Sequence, residues 1–398
     1  MKIALVTPSW PGIGHANGIT TSVVNLVDGL EALGHEVTII PLSPAQEPDP
    51  RCIDLPLARN ATILERVTER LDLADPTHIR YAESIAAAGR IAIEQRQIDV
   101  LIMEETQGWA AIVQKMLPVP VIVTLHGPWF LQTALEDYKT TRHDVRRLKR
   151  EATAFRTCAG MTVPSRDVLD KTVAQVPSVV DKRIVLHNSI QLKDAVDQAA
   201  LTDKQRRSIL FVGRNDRRKG ADVLLEGFTT LVEGGDDVHL TFVGPDPGME
   251  QPDGSTLSIT QVLGALPEKV QDRISYLGLQ SKEQIDTLRH QHGVTVIASR
   301  YETFPYVVLE ALASGSATIS AAGGGPKEII RDSETGLLIP VEDSGALAAA
   351  VRRILADPAL AASLGQAGRT DIETRFSPRA IAQQLVTFAE DVRAGFRS

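Results

Sequence analysis

Residues 299–336 read S-R-Y-E-T-F-P-Y-V-V-L-E-A-L-A-S-G-S-A-T-I-S-A-A-G-G-G-P-K-E-I-I-R-D-S-E-T-G, and this stretch is more informative than the rest of the chain combined. It follows an apolar run that is typical of a buried strand, and it continues through a turn into an apolar helix. Glu302 stands just ahead of the predicted helix and Glu310 inside it. Because a helix turns about 100° per residue, eight positions are expected to bring the two carboxylates to within about 80° of each other.

The start of this helix is a predicted anion site. Pro305 suits the first helical turn, where its missing N–H is no loss. The N–H groups of Thr303, Phe304 and Tyr306 then point at an anion, helped by the positive end of the helix dipole. Since carboxylates repel phosphate, the two glutamates are expected to accept hydrogen bonds from sugar hydroxyls instead. The alternative is that both glutamates lie on a solvated helix face.

Strands and helices alternate along the whole chain, which predicts parallel sheets with helical crossovers. Runs such as V-I-V-T-L, without polar alternation, suit strands buried on both faces. A polar stretch at 191–208 separates two such series and is the predicted connection between two facing Rossmann-like domains with a cleft between them. The predicted strands are residues 2–7, 36–41, 99–103, 119–125, 160–163, 183–186, 209–212, 239–243, 274–277, 295–298 and 317–320.

The composition is that of a globular protein of two to three domains. The chain has 398 residues, of which 43% are hydrophobic and 23% charged, both ordinary values. A net charge of −8 argues against a general nucleic-acid binder. Two widely spaced cysteines, Cys52 and Cys158, favour a reducing compartment. No run reaches the roughly 20 apolar residues that cross a bilayer, and the N-terminus does not read as a signal peptide. We therefore expect a cytoplasmic protein.

The motifs together resemble the retaining glycosyltransferases of family 4. E-x7-E, A-L-A-S-G, G-G-G-P-K-E and a T-G-L-L turn are similar to the nucleotide-sugar-binding half of that family. Upstream, I-L-F-V-G-R-N-D-R-R-K-G at 209–220 resembles the family's G-R-x-x-x-x-K-G. The resemblance implies the GT-B fold. Residues 1–190, with a crossover helix at 377–398, are then the acceptor-binding domain, and residues 191–376 are the donor-binding domain.

Two cations, Arg214 and Lys219, follow directly on the strand I-L-F-V-G. Ligands of open parallel sheets bind beyond the carboxyl ends of the strands, so both are expected to neutralise a diphosphate leaving group. The alternative is a solvated basic turn, and we assign Arg217 and Arg218 to solvent. The chain has no D-x-D triplet. We therefore expect no metal ion and no other cofactor.

The resemblance assigns roles on the donor side. It implies that Glu310 binds the ribose hydroxyls and that Glu302 contacts sugar hydroxyls near the anomeric centre. The backbone of Thr303, Phe304 and Pro305 is expected to assist Glu302. Leu277 lies in the 276–279 segment, whose backbone groups read the base in this family.

Two further elements lie in the first half of the chain. His126, in T-L-H-G, is implied to face the transferred sugar, whereas an isolated strand-end His is otherwise a structural hydrogen bonder. The loop at 8–18 carries Gly12, Gly14 and Gly18, and glycines allow close approach of the backbone to a ligand. Only the N–H of Gly18 is carried over, toward the phosphates or the acceptor. The alternative is a plain turn.

A basic stripe follows on a helix predicted at 139–156. Its members are Arg142, Arg146, Lys149 and Arg150. One interpretation is a solvated helix face. The other is a docking surface for an anionic acceptor or for the acidic inner face of the cell membrane.

The expected function is a retaining, metal-independent transfer of a hexose or related sugar. The donor is a nucleoside-diphosphate sugar of the UDP or GDP type. The acceptor is a hydroxyl group, with a lipid-linked glycan, an exopolysaccharide precursor or a small molecule as candidates. The alternatives are a nucleotide-sugar epimerase on the same fold and a nucleotide-sugar-binding protein without turnover.

Overall fold

The computed structural model describes residues 1–10, 18–45, 47–70, 75–135, 140–198, 200–251 and 253–397. The chain divides into two compact units. The first unit consists of Met1–Ser189 with Pro378–Ser398, and the second unit of Ile190–Ser377. Each unit contains one six-stranded sheet with helices interspersed between its strands. The α/β pattern of the sequence therefore gives two Rossmann-like domains.

The sheet of the first unit is parallel throughout. Its strands are β1 (Lys2–Thr7), β2 (Glu36–Pro41), β3 (Val100–Glu104), β4 (Val121–Thr124), β5 (Gly160–Val163) and β6 (Arg183–Val185). They lie in the order β2-β1-β3-β4-β5-β6. All five residues of β3 are buried, which explains why its sequence shows no polar alternation.

The helices of the first unit cover this sheet. They are α1 (Gly18–Ala32), α2 (Ile63–Arg70), α3 (Pro76–Arg96), the 3-10 turn η1 (Thr106–Gly108), α4 (Ala110–Met116), α5 (Trp129–Leu135), α6 (Arg142–Thr157), α7 (Arg166–Gln175) and the C-terminal α17 (Pro378–Gly395). Helix α17 packs closely on α1. The contact leaves no room for a side chain at Gly29 of α1, where an added Cβ would lie only 2.1 Å from the Pro378 carbonyl oxygen. The predicted start of α6 at residue 139 lies outside the described residues.

The second unit has a parallel sheet and a separate hairpin. Its strands are β7 (Ser208–Val212), β8 (His239–Val243), β9 (Met249–Glu250), β10 (Thr256–Leu257), β11 (Ile274–Tyr276), β12 (Val294–Ile297), β13 (Ala317–Ala321) and β14 (Leu337–Ile339). The sheet runs β11-β8-β7-β12-β13-β14, while β9 and β10 pair antiparallel. The predicted turn at T-G-L-L is present only at its beginning, since residues 333–335 form a turn and a strand follows. Leu337 opens β14, a strand too short to show a period in the sequence.

The second unit's helices are α8 (Asp203–Arg206), α9 (Ala221–Glu233), α10 (Ile259–Gly264), α11 (Glu268–Gln271), α12 (Lys282–Arg289), α13 (Tyr306–Ala313), α14 (Pro326–Ile329), α15 (Ser344–Ala356) and α16 (Pro358–Arg375). Phe211, Phe228 and Phe242 lie in its main apolar core, each at most 2% exposed. The 191–208 stretch, predicted as a connection, belongs to this unit. The Val196 N–H, for example, donates to the Ser314 carbonyl at 2.6 Å.

The strand order fixes where ligands are expected in each unit. The order reverses direction between β1 and β3 in the first sheet and between β7 and β12 in the second. Ligands of open α/β sheets bind outside the carboxyl ends of the strands at such reversals. The two motifs that carry Lys219 and Glu302 directly follow β7 and β12, and so they meet at the second of these points.

Candidate active site

The loop between β7 and α9 carries both predicted cations. Asp216 organises it: Oδ2 accepts from Arg214 Nε at 2.6 Å, and Oδ1 accepts from the Lys219 N–H at 2.7 Å. Gly220 closes the loop with a φ of 71°, and a Cβ there would lie 2.0 Å from the Ala298 carbonyl oxygen. Glycine alone tolerates both the positive φ and this close contact. The K-G pair therefore lies directly against Ala298, the residue that follows β12.

Lys219 and Glu302 form an ion pair at this place. Lys219 Nζ lies 2.5 Å from Glu302 Oε1, and the two side chains are 21% and 12% exposed. The ammonium group has three N–H donors, so it can hold the carboxylate and a phosphate oxygen at the same time. The structure thus brings together two residues that the sequence places in the site separately.

The three consecutive glycines hold the Glu302 backbone. The Glu302 N–H donates to the Gly323 carbonyl at 3.0 Å, and the Gly325 N–H donates to the Glu302 carbonyl at 2.8 Å. Cβ atoms at Gly324 and Gly325 would lie 2.4 Å from the Glu302 carbonyl oxygen and 2.2 Å from that of Thr303. The G-G-G motif is therefore needed for this close backbone contact.

The start of α13 differs from the prediction. The helix begins at Tyr306, and Pro305 is its N-cap residue with an extended backbone (φ −78°, ψ 125°). The placement of Pro305 inside the first turn was wrong: Glu302 forms a bridge with Gly324, residues 303 and 304 form a bend, and the helix begins only after Pro305. Thr303 and Phe304 precede the helix, and Phe304 is buried at 3% exposure. As at the start of any α-helix, the first N–H groups of α13 have no acceptor within the helix.

The expected helical relation between the two glutamates does not apply. Glu302 pairs with Gly324 in an isolated β-bridge and lies outside the helix. The 100°-per-residue rotation therefore does not connect it with Glu310.

Glu310 is anchored by a residue that sequence reasoning missed. Its Oε2 lies 2.7 Å from Arg289 Nη2, and its side chain remains 22% exposed. Arg289 is only 1% exposed, and its Nη1 lies 2.9 Å from Asp286 Oδ1. Asp286 in turn pairs with Lys193 on the surface. The only sequence signal was a cation in the last turn of a helix just before a buried strand.

The two arginines assigned to solvent behave differently. Arg217 is 50% exposed. Arg218 is half-buried with its Nε inaccessible to solvent, so its assignment to solvent was wrong. Arg300 lies against this part of the loop: its N–H donates to the Arg218 carbonyl at 2.9 Å, and its guanidinium pairs with Asp222 at 2.8 Å.

Leu277, the predicted base contact, follows β11 and is 41% exposed. Its N–H donates to the Phe242 carbonyl at 3.0 Å. The nearby Tyr276 hydroxyl donates to the Gly244 carbonyl at 2.9 Å. Because the Leu277 N–H is used in the sheet, this residue can offer a base only its carbonyl or side chain.

His126 and Gly18 lie in the first unit. His126 follows β4 with its ring half-buried, and desolvation lowers the pKa of the imidazole to about 4. The ring is therefore neutral at pH 7 and suited to hydrogen bonding rather than to supplying charge. Gly18 is the first residue of α1. The preceding part of the glycine loop, residues 11–17 with Gly12 and Gly14, lies outside the described residues.

The basic stripe on α6 is smaller than predicted. Arg142 and Lys149 are exposed and Arg146 is half-buried. Arg150 Nη1 lies 3.0 Å from Asp75 Oδ2, so its charge is paired at the start of α3. Within the described ranges, no helix has the length and apolar character needed to span a membrane.

Both glutamates of the E-x7-E motif are paired with cations: Glu302 with Lys219, and Glu310 with Arg289. In the part of the chain that the structure describes, no group of three or more His, Cys, Asp or Glu side chains is placed to hold a metal ion. The charged groups of the second unit's site thus neutralise one another in pairs.

Comparison with known families assigns each half of the chain. Residues 16–194 match the model of Glycosyltransferase Family 4, and residues 193–371 match that of Glycosyl transferases group 1. The two matches together extend over residues 16–371.

Individual proteins agree with these matches. The alpha-D-kanosaminyltransferase of Streptomyces kanamyceticus is 26% identical over 298 residues, covering 71% of this chain and 73% of that protein. Spore coat protein SA of Bacillus subtilis (strain 168) is 22% identical over 414 positions, covering 99% and 100%. The structure of sucrose-phosphate synthase from Thermosynechococcus elongatus shares the fold, with a TM-score of 0.72 at 22% identity over 99% of this chain and 100% of that one. The chain therefore belongs to the family 4 type of GT-B glycosyltransferases and is an enzyme of the hexosyltransferase class.

Proposed function

We propose that this enzyme transfers a sugar from a UDP- or GDP-type nucleotide sugar to an acceptor hydroxyl, with retention of the anomeric configuration and without a metal ion. The second unit binds the donor. The first unit binds the acceptor and contributes His126, and its Gly18 N–H approaches the phosphates or the acceptor.

One observation carries the proposal: the Lys219–Glu302 pair at the reversal between β7 and β12, 2.5 Å apart, beside the start of α13. A diphosphate at this place meets the Lys219 ammonium, the Arg214 guanidinium and the positive end of the α13 dipole. The sugar then lies beside Glu302, and the ribose beside Glu310.

The reaction balances without an enzyme nucleophile. The acceptor oxygen forms a bond to the anomeric carbon on the face from which the diphosphate departs, and the bond between that carbon and the phosphate oxygen breaks. The proton of the acceptor hydroxyl passes to the departing phosphate oxygen. Lys219 and Arg214 stabilise the negative charge that develops on the diphosphate.

Structural neighbours support the donor class. The structure of HepE from Anabaena in complex with UDP superposes with a TM-score of 0.66 at 15% identity, covering 98% of this chain and 100% of that one. A further structure of the same protein holds UDP-glucose. These complexes favour testing UDP and its sugar conjugates first.

The proposed acceptor group is a hydroxyl, and a lipid-linked glycan or exopolysaccharide precursor is the class of acceptor to test.

The similar proteins do not support the expected peripheral membrane contact. In addition, Arg150 of the basic stripe on α6 is paired with Asp75. Membership of a glycosyltransferase family leaves the epimerase and binding-protein alternatives without support.

A thermal-shift screen of UDP, GDP, ADP and their common sugar conjugates tests the donor assignment. At 100 times the dissociation constant, a ligand of the folded protein adds about 2.7 kcal/mol, which corresponds to an upward shift of a few degrees for a chain of this size. We expect one nucleotide to give this shift. Glu310→Ala should weaken it, because a charge-assisted hydrogen bond to the ribose contributes about 1.5–3 kcal/mol.

Glu373→Ala is the control for this screen, since it changes an exposed glutamate of the second unit, on α16, that has no role in the proposed site. It should keep the full shift. An equal shift in Glu310→Ala and the unchanged enzyme would contradict the ribose assignment. No shift with any nucleotide would contradict the donor site itself.

Metal independence has its own test. The positive charge that a metal ion brings to the diphosphate is supplied here by Lys219 and Arg214, and the sequence lacks a D-x-D carboxylate clamp. We expect transfer in excess EDTA at no less than about half the untreated rate, with no gain on adding Mg²⁺ or Mn²⁺. Loss of most activity in EDTA, restored by either ion, would contradict the proposal.

A further inference from the structure

The loop that carries His126 is held by two buried carboxylates. Glu105 accepts the N–H of His126 at 3.1 Å and that of Gly127 at 2.8 Å. Glu151, on α6, accepts the N–H of Trp129 at 2.8 Å. The two glutamates are 4% and 2% exposed. Burial raises the pKa of both carboxyl groups, and each still offers an oxygen that accepts a backbone N–H. These hydrogen bonds therefore hold the backbone of the loop.

The fold explains how Glu105 reaches this loop. It follows β3 directly, and β3 pairs with β4 so that Glu104 lies opposite Thr124. The chain then turns sharply through Gly108, whose φ is 67°. A Cβ on Gly108 would lie 2.4 Å from the Arg150 carbonyl oxygen. The turn after Glu105 therefore lies flush on α6, which keeps its carboxylate beneath the His126 loop.

The surroundings of Glu105 are unfavourable for a residue with only a packing role. Glu104 and Glu151 lie nearby, and burial raises the pKa of Glu104 to about 8 and that of Glu151 to about 7. Arg147 is the cation of this cluster; its Nε donates to Glu151 Oε1 at 2.7 Å. Burying several carboxylates around one guanidinium costs folding free energy, and an apolar side chain of similar size is often no worse for stability.

We propose that Glu105 is a positioning residue for His126. The inference rests on the proposed function, in which His126 contacts the transferred sugar. With the N–H groups of residues 126 and 127 bound to one rigid carboxylate, the imidazole leaves the end of β4 in a fixed direction. Without that carboxylate, two N–H groups lose their acceptor and the ring moves.

A double-mutant cycle of Glu105→Met and His126→Ala tests this, with kcat measured at saturating donor. A misplacement of about 1 Å can cost roughly 100-fold in rate, and we expect this loss for Glu105→Met alone. In the His126→Ala background the same change should cost less than about threefold, because residues that act through one another are not additive. The donor dissociation constant should stay within about twofold, since the second unit binds the donor.

Glu105→Gln is the conservative variant. Its amide oxygen can accept both N–H groups, so it should retain kcat to within about fivefold, since a net neutral hydrogen bond contributes only about 1 kcal/mol. Glu104→Gln is the matched control, because it changes a buried neighbouring carboxylate that is not bonded to the loop. It should keep kcat whatever its stability. If Glu105→Met fails to fold, Glu105→Asp replaces it in the cycle, since its shorter side chain reaches the N–H groups less well.

Additive losses in the cycle would overturn the inference. So would a folded Glu105→Met with unchanged kcat, or Glu105→Asp with unchanged kcat where it takes that place. An active His126→Ala enzyme would overturn it too, while leaving the transferase proposal in place. Failure of the proposed function looks different: the unchanged enzyme then turns over no nucleotide sugar at all.

Discussion

Replacing Lys219 by methionine is expected to lower kcat/KM for the nucleotide sugar by roughly 100- to 1,000-fold, the usual effect of removing one group that stabilises developing negative charge. Lys219 is one of the two cations of the proposed diphosphate site, and its Nζ pairs with Glu302 at 2.5 Å. Without Lys219, the negative charge that develops on the diphosphate leaving group loses a stabilising cation. The substitution also leaves the Glu302 carboxylate unpaired at 12% exposure, where it repels the donor.

Two further variants separate these effects. Lys219→Met combined with Glu302→Gln removes the unpaired carboxylate, so any part of the loss due to repulsion should be recovered. Arg217→Met is the matched control in the same loop, because Arg217 is 50% exposed and lies outside the proposed site; its rate should stay within about twofold. The measurement is steady-state release of the nucleoside diphosphate. A folded Lys219→Met enzyme within tenfold of the original would disprove the assigned role.

Replacing Arg289 by methionine is expected to lower the free energy of unfolding of the second unit by about 3–5 kcal/mol, the range for breaking a buried ion pair from one side. Arg289 is 1% exposed and bridges Asp286 and Glu310. Its removal leaves Glu310 without its cation, and Asp286 keeps only its surface partner Lys193. Since Glu310 loses its anchor, the affinity for the nucleotide should fall as well.

Lys193→Met is the matched control, because it removes the other cation paired with Asp286, at a side chain that is 50% exposed. Exposed pairs contribute about 0–1 kcal/mol, so little change is expected. Urea unfolding of the full chain measures both variants. Because a protein of two units need not unfold in one step, the transition stabilised by nucleotide is the one to compare. A loss below about 1 kcal/mol for Arg289→Met would contradict the prediction.

Much of the fold followed from local sequence patterns. The strands β1, β2, β5 and β8 have the predicted limits, and most others differ by one or two residues. Unbroken apolar runs between glycine and proline turns encode such strands directly. The edge strand β14 was missed because its three residues are too few to show the alternation of side chains that marks a strand. The start of α13 was also misjudged: Glu302 forms a bridge with Gly324 in a distant segment, and the helix begins only after Pro305.

The candidate site was predictable to the extent that its residues lie within motifs. Lys219 and Glu302 each follow a strand, and parallel neighbours bring such positions to one edge of a sheet. Arg289 and Glu105 lie in no motif that the sequence revealed. Each is identified only by the partner it contacts, 21 residues away for Arg289 with Glu310 and also for Glu105 with His126.

Local patterns in the sequence were enough to predict the two-domain α/β class, the family and the motifs of the candidate site, because backbone propensities, turn residues and strand-end motifs act over a few neighbours. The pairing of charges could be read only from the folded chain. There Lys219 pairs with Glu302, Glu310 with the buried Arg289, and Arg150 with Asp75. Ion pairs and buried hydrogen bonds depend on distances of about 3 Å, and those distances are fixed by packing between elements that are far apart in the chain.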